Sequence, residues 1–135
     1  MHERSDIGSY IKATGSIFPQ TISGSSAVNG SAVDRSGYES CMVAASVGAA
    51  TGSPTSYSVA TKLQDSANGT NGWTDIASGA TISADNTGSA LRVDLSSARQ
   101  YIRAVSTPTF SGGSSPAVPH HATIILGGAK VLPAA

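Results

Sequence analysis

The stretch that decides the fold is SYSVATKLQDSANGTNGWTDI, residues 56–76. A period of two over its first half is typical of a strand with one buried face. Asn68-Gly69 and Asn71-Gly72 then supply residues that tolerate a positive φ, and Trp73 begins a return strand. The stretch therefore predicts a hairpin that buries Trp73 in the core, because an indole is a large apolar surface. The side chains predicted to share the inward face of the first strand are Tyr57, Val59, Thr61 and Leu63.

The rest of the chain alternates short strand patterns with turn signals at a spacing of roughly eight to twelve residues, which is the pattern of a sandwich or small barrel. We predict an all-β fold, a single β-sandwich of jelly-roll-like type. Tyr38–Val47 is almost continuously apolar, which predicts a central strand covered on both faces. Thr107–Pro119 contains three prolines and Gly112-Gly113, which predicts a long loop. Further strands are predicted around Val28 and Val33 and over Ala80–Ala84, Ala90–Leu95, Gln100–Ser106 and Ala122–Leu126.

Residues 1–24 differ in character from residues 25–135, for which we predict the β-sandwich domain. The first segment is apolar in patches and is interrupted by Pro19, which fixes φ and lacks an N–H donor. Two interpretations stay open: a strand and lid of the same domain, or an arm that docks on a neighbouring subunit. The N-terminal arm hypothesis places five apolar side chains at an interface: Ile7, Tyr10, Ile11, Ile17 and Phe18.

Composition narrows the class of protein. The chain has 135 residues with 8 basic and 8 acidic side chains and no net charge, so it lacks the positive field on which nucleic-acid binders depend. Its apolar runs are too short to span a membrane. The opening MHERSDIGSY has no apolar core of a signal peptide, so we expect folding in a cytoplasm. Zero net charge disfavours a soluble free monomer, so the composition favours a protein that is part of an assembly.

No motif points to catalysis. There is no G-x-S-x-G nucleophile elbow, and Asp75 and Asp94 fit solvated positions on strands. Adjacent His120 and His121 face opposite ways if they lie on a strand, so they are poorly placed to share a metal ion. Cys41, the single cysteine, lies in an apolar run and is expected to be a buried, inert thiol. We therefore predict a non-enzymatic protein with no cofactor and no metal.

The two arginines on successive predicted strands are Arg92 and Arg103. Opposite charges on neighbouring strands attract weakly when exposed. We expect these arginines to pair with Asp94 or Asp75 across the sheet.

Three segments taken in order resemble a group of small structural proteins of tailed bacteriophages: KLQDSANGTNGWTDI (62–76), LRVDL (91–95) and RQYIRAVSTPTF (99–110). The resemblance covers about Val59 to Leu126. It implies a capsid decoration, or cement, protein that is bound to the outer capsid surface of the virion, often as a homotrimer. The implied partner is the major capsid protein.

Two alternatives stay open beside the decoration protein. Within phage biology, a tail-tube or head–tail joining protein is a close alternative. A carbohydrate-binding β-sandwich module belongs to another class, and it requires exposed aromatic side chains as a platform for the sugar.

Overall fold

A computed structural model of the chain describes residues 6–130; residues 1–5 and 131–135 lie outside the described part. A short 3-10 turn, Ile7–Ser9, precedes the strands. The strands are β1 (Lys12–Ser23), β2 (Val28–Asn29), β3 (Val33–Asp34), β4 (Ser40–Val47), β5 (Ser56–Ser66), β6 (Thr74–Ile82), β7 (Gly88–Asp94), β8 (Tyr101–Ser111) and β9 (Ala117–Gly127).

The strands form two antiparallel sheets that pack face to face. Sheet A has the order β1-β9-β4-β7, and sheet B has the order β2-β8-β5-β6, with β3 also paired to β8. When β2 and β3 are counted as one interrupted edge strand, each sheet has four strands in the arrangement of a jelly roll. The prediction of an all-β sandwich is confirmed.

The core lies between the sheets and follows from alternation along the central strands. In β9, for example, every second residue from Val118 to Leu126 is buried, while the residues between them are half-buried or exposed. The same alternation runs through β4, β5 and β8, as the period of two predicts. The largest fully buried side chains are Ile17, Leu63, Leu95, Ile102, Ile124 and Leu126.

The prediction of a separate arm over residues 1–24 is wrong for its greater part. Residues 12–23 form β1, an edge strand of sheet A that pairs with β9 from Lys12↔Leu126 to Ser23↔Ala117. Ile17 and Ile22 point into the core and are almost fully buried. The boundary at residue 24 therefore does not separate two units, because β1 supplies part of the core of the sandwich.

The register of β1 explains why its pattern is hard to read. The pairing with β9 shifts once between Gly15 and Ile17 and again between Ile17 and Gln20. Each shift is a β-bulge, which adds a residue to one strand and reverses the phase of its alternation. Bulges and Pro19 also protect a sheet edge against unwanted strand pairing.

Two further predictions need correction. Trp73 is only half-buried and lies outside the core. The predicted loop over Thr107–Pro119 is mostly strand, because β8 extends to Ser111 and β9 begins at Ala117. Pro108 is tolerated inside β8 because β2 and β3 pair only with residues 101–106, which leaves a free edge beyond them.

Candidate functional site

The N-terminal edge of sheet A carries the two large apolar side chains that are most exposed in the described range. Ile7 is 68% exposed in the 3-10 turn, and Phe18 is 59% exposed at the second bulge of β1. Tyr10 and Ile11 are half-buried, and Ile17 belongs to the core. Of the five predicted interface residues, the structure leaves four at least partly accessible and removes Ile17.

The outer face of sheet A is the second candidate surface. The prediction that Tyr38–Val47 is covered on both faces is wrong for this chain alone, because Met42 and Ala44 of β4 point outward and are only half-buried. Cross-strand pairs place Met42 between Ile125 of β9 and Arg92 of β7. The next row of the face holds only small side chains, Ala90, Ala44, Thr123 and Gly15.

A cavity of about 470 Å³ opens on this outer face. Ser40 and Gly127, which are opposite each other across β4 and β9, are among the residues that line it. Ile11, Met42 and Ile125 supply apolar walls. The cavity lies over the small residues Ser40 and Gly127, beside the larger side chains of Met42 and Ile125 in the neighbouring row.

The outer face of sheet B carries Trp73 with a line of polar side chains. The Arg103 guanidinium stacks over the indole, 4.3 Å from its centroid. Arg103 Nε also donates to Gln64 Oε1 at 3.0 Å, and Gln64 Nε2 donates to Asp75 Oδ1 at 2.8 Å. Lys62 Nζ completes the line with a 3.1 Å contact to Asp75. Arg103 therefore does not pair with Asp75 directly; Gln64 stands between them.

A buried polar chain connects the two sheets through His120. The His120 Nδ1–H donates to the Ser46 carbonyl at 2.9 Å, which leaves Nε2 to accept from the Ser106 hydroxyl at 2.8 Å. Ser106 in turn accepts from Thr61 Oγ1 at 2.8 Å. His120 is 2% exposed and Ser106 is 0% exposed. Burial lowers the pKa of His120, and the nearby His121 adds to that effect, whereas the bond to Ser46 opposes it.

This serine–histidine pair differs from a hydrolytic centre in two respects. Its Nδ1 partner is a backbone carbonyl in place of a carboxylate, and the serine is sealed inside the core. The arrangement binds β9 of sheet A to β8 and β5 of sheet B. His121 points the other way, as predicted, with Nε2 2.6 Å from Ser46 Oγ.

Arg99 and the buried Asp65 form a partly buried ion pair that the sequence patterns did not predict. Arg99 Nη2 donates to Asp65 Oδ1 at 2.8 Å and to the Gly72 carbonyl at 2.9 Å. Burial alone would raise the pKa of Asp65, but hydrogen bonds from Arg99 outweigh it and hold the pKa below its usual range. The contact to Gly72 ties the pair to the loop before Trp73.

The same loop is closed by its own side chains. Ser66 Oγ accepts from the backbone N–H of Gly69, and Asn68 Oδ1 accepts from the backbone N–H groups of Thr70 and Asn71. These residues lie in the KLQDSANGTNGWTDI segment that carries the phage resemblance. That segment therefore serves to build the β5–β6 connection.

Residues 6–130 lack the side-chain clusters of a metal centre. In that range, no group of three His, Cys, Asp or Glu side chains is placed to hold a metal ion. None of its helical segments has the length and apolar character needed to cross a bilayer. Cys41 is buried as predicted, and burial raises the pKa of its thiol to about 11.

No protein-family model and no curated protein sequence matches the chain. Among solved structures, it is similar to the SPBc2 prophage-derived protein YomS at 15% identity and a TM-score of 0.41, over 86% of this chain and 93% of that one. A Bacillus endospore appendage protein, from disulfide-linked pili, gives 15% identity and a TM-score of 0.42 over 90% of both chains.

A third solved structure comprises the CBM22-1 and GH10 modules of the Clostridium thermocellum xylanase 10B in complex with xylohexaose. It gives 9% identity and a TM-score of 0.44 over 94% of this chain, which spans 30% of that protein.

Proposed function

We propose that the chain is a non-enzymatic structural protein of a tailed phage, which decorates the outer capsid surface and stabilises the shell by bridging neighbouring major capsid subunits. The resemblance of residues 59–126 to small phage structural proteins supports this role. The structural observation that carries it is the exposure of Ile7 and Phe18 at one edge of the sandwich.

The energetic reason is the cost of leaving these side chains in water. Burying an Ile or Phe side chain is worth roughly 1.5–3 kcal/mol before ordering costs. Phe18 stands on a bulge of β1, with its ring over Gly15, so the strand itself presents the ring outward. A shell that accepts Ile7 and Phe18 in shallow apolar sites would gain this energy at every copy.

Stabilisation of the shell follows from mass action and multivalency. A protein that binds the assembled shell in preference to free subunits shifts the equilibrium toward the shell. We propose a homo-oligomer, a trimer as the resemblance implies, because several weak contacts held together raise avidity by orders of magnitude.

The test is binding of the purified chain to capsids that lack a decoration protein. We expect Ile7→Ser and Phe18→Ser each to reduce binding about tenfold or more, which corresponds to about 1.4 kcal/mol. Thr21→Ser is the matched control, since Thr21 is exposed on the same strand and is not apolar. Full binding by the double variant I7S/F18S, with its melting temperature unchanged, would rule out this contact surface.

A carbohydrate-binding role is the second candidate, and the position of Trp73 favours it. The indole is half-exposed beside polar groups from Arg103, Gln64 and Asp75, and such a surface can stack against a sugar ring. Against it, these polar groups already bond one another. A glycan array on the wild type and on Trp73→Ala distinguishes the roles: saturable binding that Trp73→Ala abolishes would establish the sugar site, whereas absence of binding leaves the decoration role.

A further inference from the structure

We propose that two copies of this chain pack face to face through the outer face of sheet A, around a two-fold axis. The axis crosses the strands at the level of three cross-strand neighbours, Val93 of β7, Cys41 of β4 and Leu126 of β9. The residues that carry this pair differ from those of the shell contact, Ile7 and Phe18, although the Phe18 ring stands over Gly15 of the same face. It would join two monomers or, if the chain is trimeric, two trimers.

Arg92 and Asp94 of β7 are oppositely charged side chains that form no ion pair within the described part of the chain. In the described part of the chain, the Arg92 guanidinium makes no hydrogen bond or ion pair, contrary to the expected bond with Asp94. Asp94 accepts a hydrogen bond from the backbone N–H of Ser96 and pairs with no cation there. The two side chains point to the same side of β7, two residues and therefore about 7 Å apart. A two-fold axis at the level of Val93 brings each arginine opposite the other copy's aspartate.

Two neighbouring cross-strand rows of this face differ in side-chain size, so the same axis would set large side chains against small ones. The row of Arg92 continues with the large side chains of Met42 and Ile125, and the row of Asp94 continues with Ser40 and Gly127. A two-fold axis between the two rows sets each row of one copy against the other row of its partner. Met42 then faces Ser40, and Ile125 faces Gly127, so large side chains enter the cavity formed over small residues.

The composition of the central strands also supports the pair. Met42 and Ala44 of β4 and Ile125 of β9 give the outer face of sheet A an apolar centre that one copy leaves half-buried. Edge-to-edge pairing is disfavoured at β1 by its bulges and Pro19. We expect a reversible, concentration-dependent pair.

The experiment is sedimentation equilibrium on the full chain from low to high micromolar concentration. We expect the mass to double with concentration, from one copy to two or from three to six. R92D sets like charges against each other at both symmetry-related contacts, and so does D94R, so each should weaken the pair roughly tenfold or more.

Charge exchange makes the test specific. The double variant R92D/D94R restores opposite charges and should recover the pair. Mixing R92D with D94R should give a one-to-one complex that neither variant forms alone. Thr109→Asp, on the outer face of sheet B, is the control that changes charge elsewhere and should leave pairing intact. Ser40→Phe fills the cavity without changing charge and should also prevent pairing.

Three results would overturn the proposal. One is a mass that does not depend on concentration. Another is a doubling that R92D, D94R and S40F leave unaffected. The third is a double variant no better than the single ones, provided that thermal melting shows all variants to be folded. Loss of capsid binding in I7S/F18S with pairing retained would separate this contact from the shell contact.

Discussion

His120 is the residue whose burial has the clearest consequence in solution. Its neutral ring satisfies Ser46 and Ser106, and no acidic side chain is among its hydrogen-bond partners in the described range. Along β9 its ionisable neighbour is His121, which points outward; the adjoining parts of β4, β5 and β8 contribute Ser46, Thr61 and Ser106. A proton on Nε2 would place an uncompensated charge in the core.

We therefore predict that stability falls in mild acid. The folded pKa of His120 lies below its ordinary value of 6.5, so below about pH 6.5 the unfolded chain binds more protons than the folded one. The free energy of unfolding then decreases as the pH falls toward the folded pKa, by up to about 1.4 kcal/mol per pH unit. Urea unfolding at pH 8 and pH 5.5 measures it; His120→Gln should flatten the difference, and His121→Gln should retain it. Parallel profiles for all three proteins would contradict the prediction.

Gly30 is a residue where the absence of a side chain is required. A Cβ there would lie 2.7 Å from the Ala104 carbonyl oxygen and would collide with Ser16 Oγ, which donates to Ser31 O and accepts from Ala104 N–H. We expect Gly30→Ala to destabilise the fold by about 2–3 kcal/mol, because it breaks a buried hydrogen-bonded link between the sheets. Chemical denaturation against Gly8→Ala, an exposed glycine, is the comparison; equal stability of the two variants would refute the expectation.

Trp73 carries a smaller energy than a core tryptophan. Its contact with Arg103 is a partly exposed cation–π stack, worth about 0.5–1 kcal/mol. We predict that Trp73→Ala remains folded and loses about 1–2 kcal/mol, well short of the roughly 3–5 kcal/mol for a buried indole. Thermal melting with circular dichroism checks this, and an unfolded variant would return Trp73 to the core.

At the level of strands, β1 decides whether the N-terminal segment is dispensable. Deleting residues 1–24 removes Ile17 and Ile22 from the core and exposes the edge of β9. We expect that deletion to abolish folding, whereas deletion of residues 1–10 leaves all nine described strands in place and should keep a cooperative melt. A stable domain after removal of residues 1–24 would restore the separate-arm interpretation.

The strands that the sequence predicts well are those with unbroken alternation, such as β5, β7 and the first half of β8. Alternation fails at β1 because two bulges change its phase within a few residues. It also identifies two faces of a strand without saying which one is covered. A continuous apolar run misleads in another way: Met42 and Ala44 make β4 apolar on a face that one copy leaves half-buried. Trp73 is expected inside because of its large apolar surface, yet it stacks with Arg103 on the outer face of sheet B.

Some candidate sites can be predicted from local sequence, whereas others form only when distant strands pair. Exposed Ile7 and Phe18 are found from local composition, since a patchy apolar segment with a proline is visible in one short window. The His120–Ser106–Thr61 chain is not, because Ser106 and Thr61 are 45 residues apart and meet only through sheet pairing. No local signal distinguishes these residues among the many serines and threonines.

β9 closes the sandwich. β9 lies between β1 and β4, so without residues 117–127 β1 has no pairing partner in sheet A. We predict that a chain ending at residue 116 is unfolded by circular dichroism, whereas a chain ending at residue 128 is folded. A native-like spectrum for the shorter chain would mean that sheet B folds alone.

The pairing of Lys12 with Leu126 has a practical consequence for engineering. Neighbouring residues in an antiparallel pair have Cα atoms about 5 Å apart, so a short linker can join the two ends of the sandwich. New ends opened in the turn between β8 and β9 would leave every strand pairing intact. A protein fused to such a circular permutant would be attached at the β8–β9 turn, at the end of the domain opposite to Lys12 and Leu126. The same sandwich could then display a fused protein from either end.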